Sequence, residues 1–520
     1  RRPDRCRTPC ISAADPGDQL RGHPCSREDI MHVTADRHPP STTLLRACLL
    51  AGCAAGSLAW LAAVSAQTPA PLNPRDMAMT MSGDFTLASV GDLMMRRPAS
   101  QLADPAVQSA LQLIAEADLA VGNMEGELAN LRDFDGPLNG FVGSHEVAAD
   151  LKKIGFDMVN RAQNHLQDAG VEGMFSTNAL LDEAGIVHAG TGKNLDAAAA
   201  PAYLELPQGR VAMVGMHAPL WEEMRRLAAT PQVGNLGGRP GLNMLHYTET
   251  IVVSDEQLAS LKQVRDQFLE FSSRYDNPRP LPTNEPSDRL RLPASSSGRE
   301  DPTYRAARPG EIPGTIDYTL NATDLSRTLR SIRNAKRYAD FVVATAHIHQ
   351  GQSVLERMHL STRPPDFYVD LAHQVIDVGA DAFVGHGVQL LRGIEIYRGK
   401  PIFYGLGEFF RESVWNLSEQ LGQTDANQQS PLQNFSRNFG GSTQSLESLV
   451  AVSHYDDGEL VAVRLYPIEL GADGPDSRLG IPRLAPPDIA QRILERMQRL
   501  SRELGTQIDI EGTVGVITVK

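Results

Sequence analysis

The chain has 520 residues, 41% of them hydrophobic and 22% charged, with a formal net charge of −14. It is too long for one small domain, and its composition excludes a disordered or fibrous class. The acidity argues against a general nucleic-acid surface, although a bound divalent cation would still let an anionic substrate approach locally.

In chain order, residues 1–30 show no periodicity and read as an upstream extension of the gene model, with Met31 as the start. Residues 31–66 have the layout of a secretory signal peptide. Arg37 and Arg46 lead into the apolar run 47–64, and small residues precede a cut after Ala66. Two alternatives stay open. Leu50-Ala51-Gly52-Cys53 resembles a lipoprotein box that would tether the chain through Cys53, and an uncleaved anchor would be short for a span. Export to the periplasm or cell envelope is the expectation. All five cysteines precede residue 67, so the remainder forms no disulfide and must hold any metal through His, Asp, Glu or Asn.

A first core part is expected over 84–230. FTLASVG (85–91) reads as a strand ending at Gly91-Asp92, followed by a helix over 105–117 and the strand LAVGN. A helix over 145–155 leads to the strand Phe156–Asn160, which runs into Gln163-Asn164-His165. A helix over 171–185, the segment IVHAG and the strand pair YLEL and RVAMVGMHA follow. Residues 231–313 break this rhythm and read as an insertion: a helix over 255–271, then a long irregular loop dense in Pro, Ser and charge. A second core part, 314–412, has helices over 322–339 and 366–378, strands DFVVATAH and DAFVGH, and a hairpin about Arg398-Gly399. Residues 440–520 add a hairpin turning at Asp456-Asp457-Gly458, a helix over 487–504 and the strand VGVITVK. Strands alternating with helices at this spacing imply an α/β fold with a parallel or mixed sheet under helices.

Five polar sites fall at the carboxyl ends of these strands: Asp92; Asn123 with Glu125; Asn164-His165 with Asp168; His347 with His349; and His386. Ligands of open α/β sheets collect at that edge. Oxygen ligands from early strands and imidazoles from later ones suit Zn²⁺ or Mn²⁺. Singly, each has a plainer reading. An Asp after a strand commonly turns the chain or caps a helix, and a buried His is commonly a hydrogen-bonded core residue. Five in strand order point to a site. Arg96 and Arg97 follow Asp92 and could meet an anionic substrate, or simply be solvated. Met94, Met95, Phe403 and Tyr404 read as packing.

The ordered set of Gly91-Asp92, GNMEGE, QNHLQDAG, His347 and VGHGVQLLRGIEIYRGKPIFYGLGEF resembles the CapA-type bacterial capsule-synthesis family, associated with poly-γ-glutamate. The resemblance implies a four-layer α/β/β/α sandwich of the calcineurin-like metallophosphoesterase type, with mixed sheets and metal ligands on loops at one edge. Carried over residue by residue, it makes Asp92, Glu125, Asn164, His347 and His386 metal ligands. His165 becomes a general acid or transition-state donor oriented by Asp168, which could instead cap the helix over 171–185. Asn123 and Gln389 beside these positions, and Arg96, are candidate substrate contacts. His349, on the same face of an extended segment as His347, reads from its spacing as an alternative ligand, a substrate contact, or a surface or core His.

Three departures stand out. Met94 replaces the usual His of the opening motif, Gln389 stands where a second late His could be, and Gln163 and Glu408 occupy positions often held by Asn. The missing histidines would serve the same metal, so the resemblance implies one strong divalent-metal site and a second that is weak, water-rich or absent. It also implies an anionic polymer or envelope substrate and other capsule-synthesis proteins as partners. Charge argues for no nucleic acid, and the leader residues for membrane association only through the leader or a lipid at Cys53. Two functions follow: a metal-dependent hydrolase, or a non-catalytic capsule-assembly factor keeping the fold.

Overall fold

The computed structural model describes residues 79–519, apart from 138–139, 221, 273, 275–285, 293–301, 354–355, 357–360, 413–442 and 473–475. The expected gene-model extension, signal peptide and Cys53 lie outside these residues. No described helix is long and apolar enough to cross a membrane.

The fold is α/β with mixed sheets. At the centre of the larger, ten-stranded sheet lies the strand Asp84–Met94, buried at nearly every position on both faces, as a strand covered on both sides must be. It pairs in parallel with Leu119–Asn123 and with Glu408–Arg411, and antiparallel with Glu447–Asp456. Met158–Asn160 and Val187–Ala189 extend the parallel side. The second, six-stranded sheet is built on Phe341–His347, flanked in parallel by Gly209–His217 and Ala382–His386.

One apolar cluster joins the inner faces of the two sheets: Phe85, Leu87, Val121 and Met158 meet Met213, Phe341, Val343, Val384 and Phe403. The rings of Phe85 and Phe341 pack edge-on with centroids 5.2 Å apart. On the outer face of the first sheet, Val107, Leu111 and Ile114 of the helix Pro105–Ala115 and Val147 and Leu151 of the helix Glu146–Ile154 cover Ala88, Val90 and Ala120. On the outer face of the second, Ile332 and Ala335 of the helix Ala322–Tyr338 and Leu371 and Val375 of the helix Asp366–Asp377 cover Val342, Ala344 and Phe383. Each large apolar side chain buried in these layers stabilises the fold by about 1.5–3 kcal/mol.

Local chemistry sets the element ends. Asp104 caps the helix Pro105–Ala115 by accepting from the Ala106 N–H, and Pro105 occupies its first turn. Arg398 (φ 52°) and Gly399 (φ 74°) form the tight turn expected between Ile394–Tyr397 and Lys400–Phe403. The strand expected over 85–91 continues to Met94, with its register against Leu119–Asn123 shifting between Ser89 and Asp92. Asp92 therefore lies within the strand, not after it. The insertion differs more. Its strands Arg289–Arg291, Thr303–Ala306 and Tyr247–Val253 form a four-stranded sheet with Ile316–Leu320 of the second core part, and the helix Asp255–Ser272 lies against it. Pro and Ser density hid these short strands, which pair with partners distant in sequence.

Candidate metal centre

The parallel strands end together, so their last residues share one edge. In the first sheet Asp92 is in register with Asn123, and Asn123 with Asn160. In the second, His217, His347 and His386 form a row on neighbouring strands. Asn123 bridges the two rows: its amide nitrogen lies 2.7 Å from Asp92 Oδ1 and 3.0 Å from His347 Nδ1. Asn160 donates to Asn123 Oδ1 at 2.7 Å and fixes that amide.

Glu125, on the loop beyond Asn123, is held by its backbone. Arg161, fully buried, donates to the carbonyls of Met124 and Gly126 on either side of it, and Gln163 also donates to Gly126. The loop carrying Asn164 and His165 rests on Leu227, Leu242 and Met244 from the edge of the insertion, through Ala162, Leu166 and Met174. His347 Nε2 lies 2.6 Å from Asn164 Oδ1 and 2.9 Å from His349 Nε2, with Asn164 Oδ1 3.2 Å from His349. Glu125 Oε1 is 3.7 Å from His347 Nε2. Among the described residues, two groups bring three ligand atoms within 4.8 Å of one another: Glu125, His347 and His349, and Asp92, Glu125 and Glu408.

The first group fits a cation. Both oxygens of Glu125 are buried without a hydrogen-bond donor, a costly state for a carboxyl. Burial, then the neighbouring Asp92 and Glu408, pushes its pKa well above the usual carboxyl range. Burial also raises Asp92, against the pull of His386, and pushes Glu408 up to about 8 despite Arg411. A nitrogen-and-oxygen donor set with surplus negative charge suits Zn²⁺ or Mn²⁺.

His165 is the half-open member, with 29% of its side chain exposed. Its Nδ1 lies 2.6 Å from Asp168 Oδ2, and its Nε2 is 3.7 Å from Glu125 Oε1. Asp168 does not cap the following helix, Gly170–Ala184, whose cap residue Ala169 makes no side-chain bond. It accepts instead from His165 and from the Phe141 N–H.

The other expected site residues have partners of their own. His386 occupies its strand end, but its Nδ1 lies 3.1 Å from Thr345 Oγ1 and its Nε2 3.2 Å from the Val90 carbonyl, outside both groups. Burial lowers its pKa. Asp92 receives Asn123 on one oxygen and the Gly387 N–H on the other. Arg96 is buried, stacks on Phe141 and donates to the carbonyls of Glu412 and Val142. It braces the wall rather than facing a ligand. Gln389 accepts from Arg411 at 2.9 Å. Asn160, His217, Glu408 and Arg411 were missed as site residues. The strand-end rule, applied to MVN and VAMVGMH, would have found the first two. Arg411, after two phenylalanines, carries no such signal.

Comparison with known proteins supplies the family. The model described as "Bacterial capsule synthesis protein PGA_cap" matches residues 86–413. The chain is similar to the uncharacterized protein y4sH of Sinorhizobium fredii, 36% identical over 83% of this chain and 93% of that protein. It is similar to the PGA biosynthesis protein CapA of Bacillus subtilis, 24% identical over 65% of this chain and 66% of that one. A probable polyglutamine synthesis accessory protein of Mycobacterium tuberculosis is 28% identical over 28% of this chain and 32% of its own length. With the family model covering more than half of the chain and every strand end that meets at Glu125, the chain belongs to the PGA_cap family of bacterial capsule synthesis proteins.

Proposed function

We propose that the protein is an exported, metal-dependent hydrolase acting on poly-γ-glutamate or a related anionic envelope polymer, on a metallophosphoesterase-type α/β/β/α sandwich. The observation that carries this reading is the Glu125 carboxylate, buried without a donor beside His347 and His349. Two mixed sheets sharing an inner apolar cluster, with helices on both outer faces, support the sandwich. Glu125, His347 and His349 would hold the metal, with Asn164 Oδ1 beside both histidines. When bound, the metal supplies Lewis-acid polarisation of the scissile group and a more acidic water.

The chain's own residues do the rest. Asn123 flanks His347 at Nδ1, and Nε2, beside Asn164 Oδ1 and Glu125, is the ring atom that would face the metal. Asp168 holds the proton of His165 on Nδ1, which leaves Nε2 as the atom that gives or takes one at the open side of the site. The deeper groups are closed to water.

The word "accessory" in the name of the Mycobacterium tuberculosis relative favours a second reading, a capsule-assembly factor with a structural metal and other synthesis proteins as partners. One experiment separates the two. The purified chain is analysed for metal and tested on poly-γ-glutamate and aryl phosphates, alongside His165→Ala and Glu125→Gln. Turnover lost in both variants supports the hydrolase. Bound metal with no turnover supports the assembly factor, and no bound metal refutes the centre. Export is tested by intact mass from the native host, where a mature chain beginning at Gln67 is expected.

A further inference from the structure

Resting on that metal centre, we infer that Arg411 is a resident cation occupying the charge position of a second metal, so that the centre binds one ion only. The second group, Asp92, Glu125 and Glu408, is three buried carboxylates close together, which on charge alone would bind a divalent ion beside the first. The structure places a guanidinium there. Arg411 is buried, its Nη1 lies 2.7 Å from Glu408 Oε2, and its charge acts also on Glu125 and Asp92. Its Nη2 donates to Gln389 Oε1 at 2.9 Å. Gln389 and Glu408 are the late-motif departures noted in the sequence, and one side chain contacts both.

The backbone is shaped for this contact. Residues three apart on a regular strand face opposite sides. Here the register against Asp84–Met94 steps from Asp92↔Glu408 to Leu93↔Phe410, which leaves Phe409 as an extra residue. Such a bulge re-aims the strand's side chains, and Glu408 and Arg411 meet. Gln389 adopts φ 59°, a left-handed conformation that few non-glycine residues hold, while its side-chain Oε1 accepts from Arg411. A guanidinium is permanently charged and forked to match carboxylate and amide oxygens. With it against Glu408, a divalent ion would meet a like charge and lose that carboxylate as a ligand.

The test is stoichiometry in the full chain, by Mn²⁺ calorimetry and by elemental analysis after desalting. Wild type is expected to bind one ion, Arg411→Met two, Arg411→Lys one, and the double variant Arg411→Met with Glu408→Gln one. Mn²⁺-loaded wild type should give the six-line paramagnetic resonance spectrum of an isolated ion, a readout independent of how the variants fold. Two ions or a spin-coupled pair in wild type would overturn the inference, as would a single ion in a folded Arg411→Met chain. No ion in wild type would instead refute the metal centre itself, and this inference with it.

Discussion

His165 and Glu125 are close neighbours with opposite expected signatures. His165 touches the site from its open side and is no member of the three-ligand groups. If the protein is the proposed hydrolase, His165→Ala should lower kcat by roughly 10²–10⁴-fold and leave the metal content unchanged, as read by steady-state kinetics and elemental analysis. Glu125 is a buried acid whose folded pKa is raised by burial. In the metal-free chain the unfolded state releases this proton first. Stability therefore falls as pH rises above the ordinary carboxyl value of 4.5. Glu125→Gln should remove that slope and stabilise the metal-free chain by about 1–3 kcal/mol at neutral pH, while abolishing metal binding. Urea midpoints with and without Mn²⁺ report both effects, and a destabilised metal-free variant would contradict the account.

At the scale of elements, the strand that carries Asp92 lies so close to the segment before Glu408 that no side chain fits between them. A Cβ on Gly91 would come 1.7 Å from the Gly407 carbonyl oxygen. Gly91→Ala should cost on the order of 3 kcal/mol and disturb Asp92, measurable as a lowered melting temperature with weakened metal binding. In the insertion, Arg305 ties its strand to Glu311 and, across Tyr247–Val253, to Asp317 on the strand beyond. Hydrogen bonds from Arg305, then from the Arg308 N–H, hold Glu311 down at about 2, against an ordinary 4.5. A depressed carboxyl contributes stability that is complete above its unfolded pKa. That contribution fades as pH falls from 4.5 through about 2. Hydrogen-exchange protection factors over residues 303–320 should fall in that window, and Glu311→Gln should flatten the dependence.

The molecule as a whole assembles the proposed metal site from both sheets, so a bound metal would be linked to the fold. The proposed ligands come from the loop after Leu119–Asn123 in one sheet and from the end of Phe341–His347, and just beyond it, in the other. A cation binding only the folded chain at 100 times its Kd stabilises by about 2.7 kcal/mol. Chelation should accordingly lower the melting temperature by a few degrees, Mn²⁺ or Zn²⁺ should restore it, and Glu125→Gln should show no response. Core architecture was legible because buried strands and amphipathic helices repeat at different periods, and the helices Pro105–Ala115 and Asp366–Asp377 lie close to where that pattern put them. The insertion sheet was not, since Arg289–Arg291 and Thr303–Ala306 are too short to show a period and gain their stability from pairing.

From the sequence alone came the α/β alternation, the edge at which polar residues gather, and the motif pair Asn164-His165. These depend on local periodicity and on the order of strands along the chain. Only the tertiary structure decided which of those residues converge. It turned His386 toward Thr345 and the Val90 carbonyl, brought His349 beside His347, and set Arg411 against Glu408. The reason is geometric: strand order brings residues to a common edge, but the register between strands and the bulge at Phe409 determine where each side chain points.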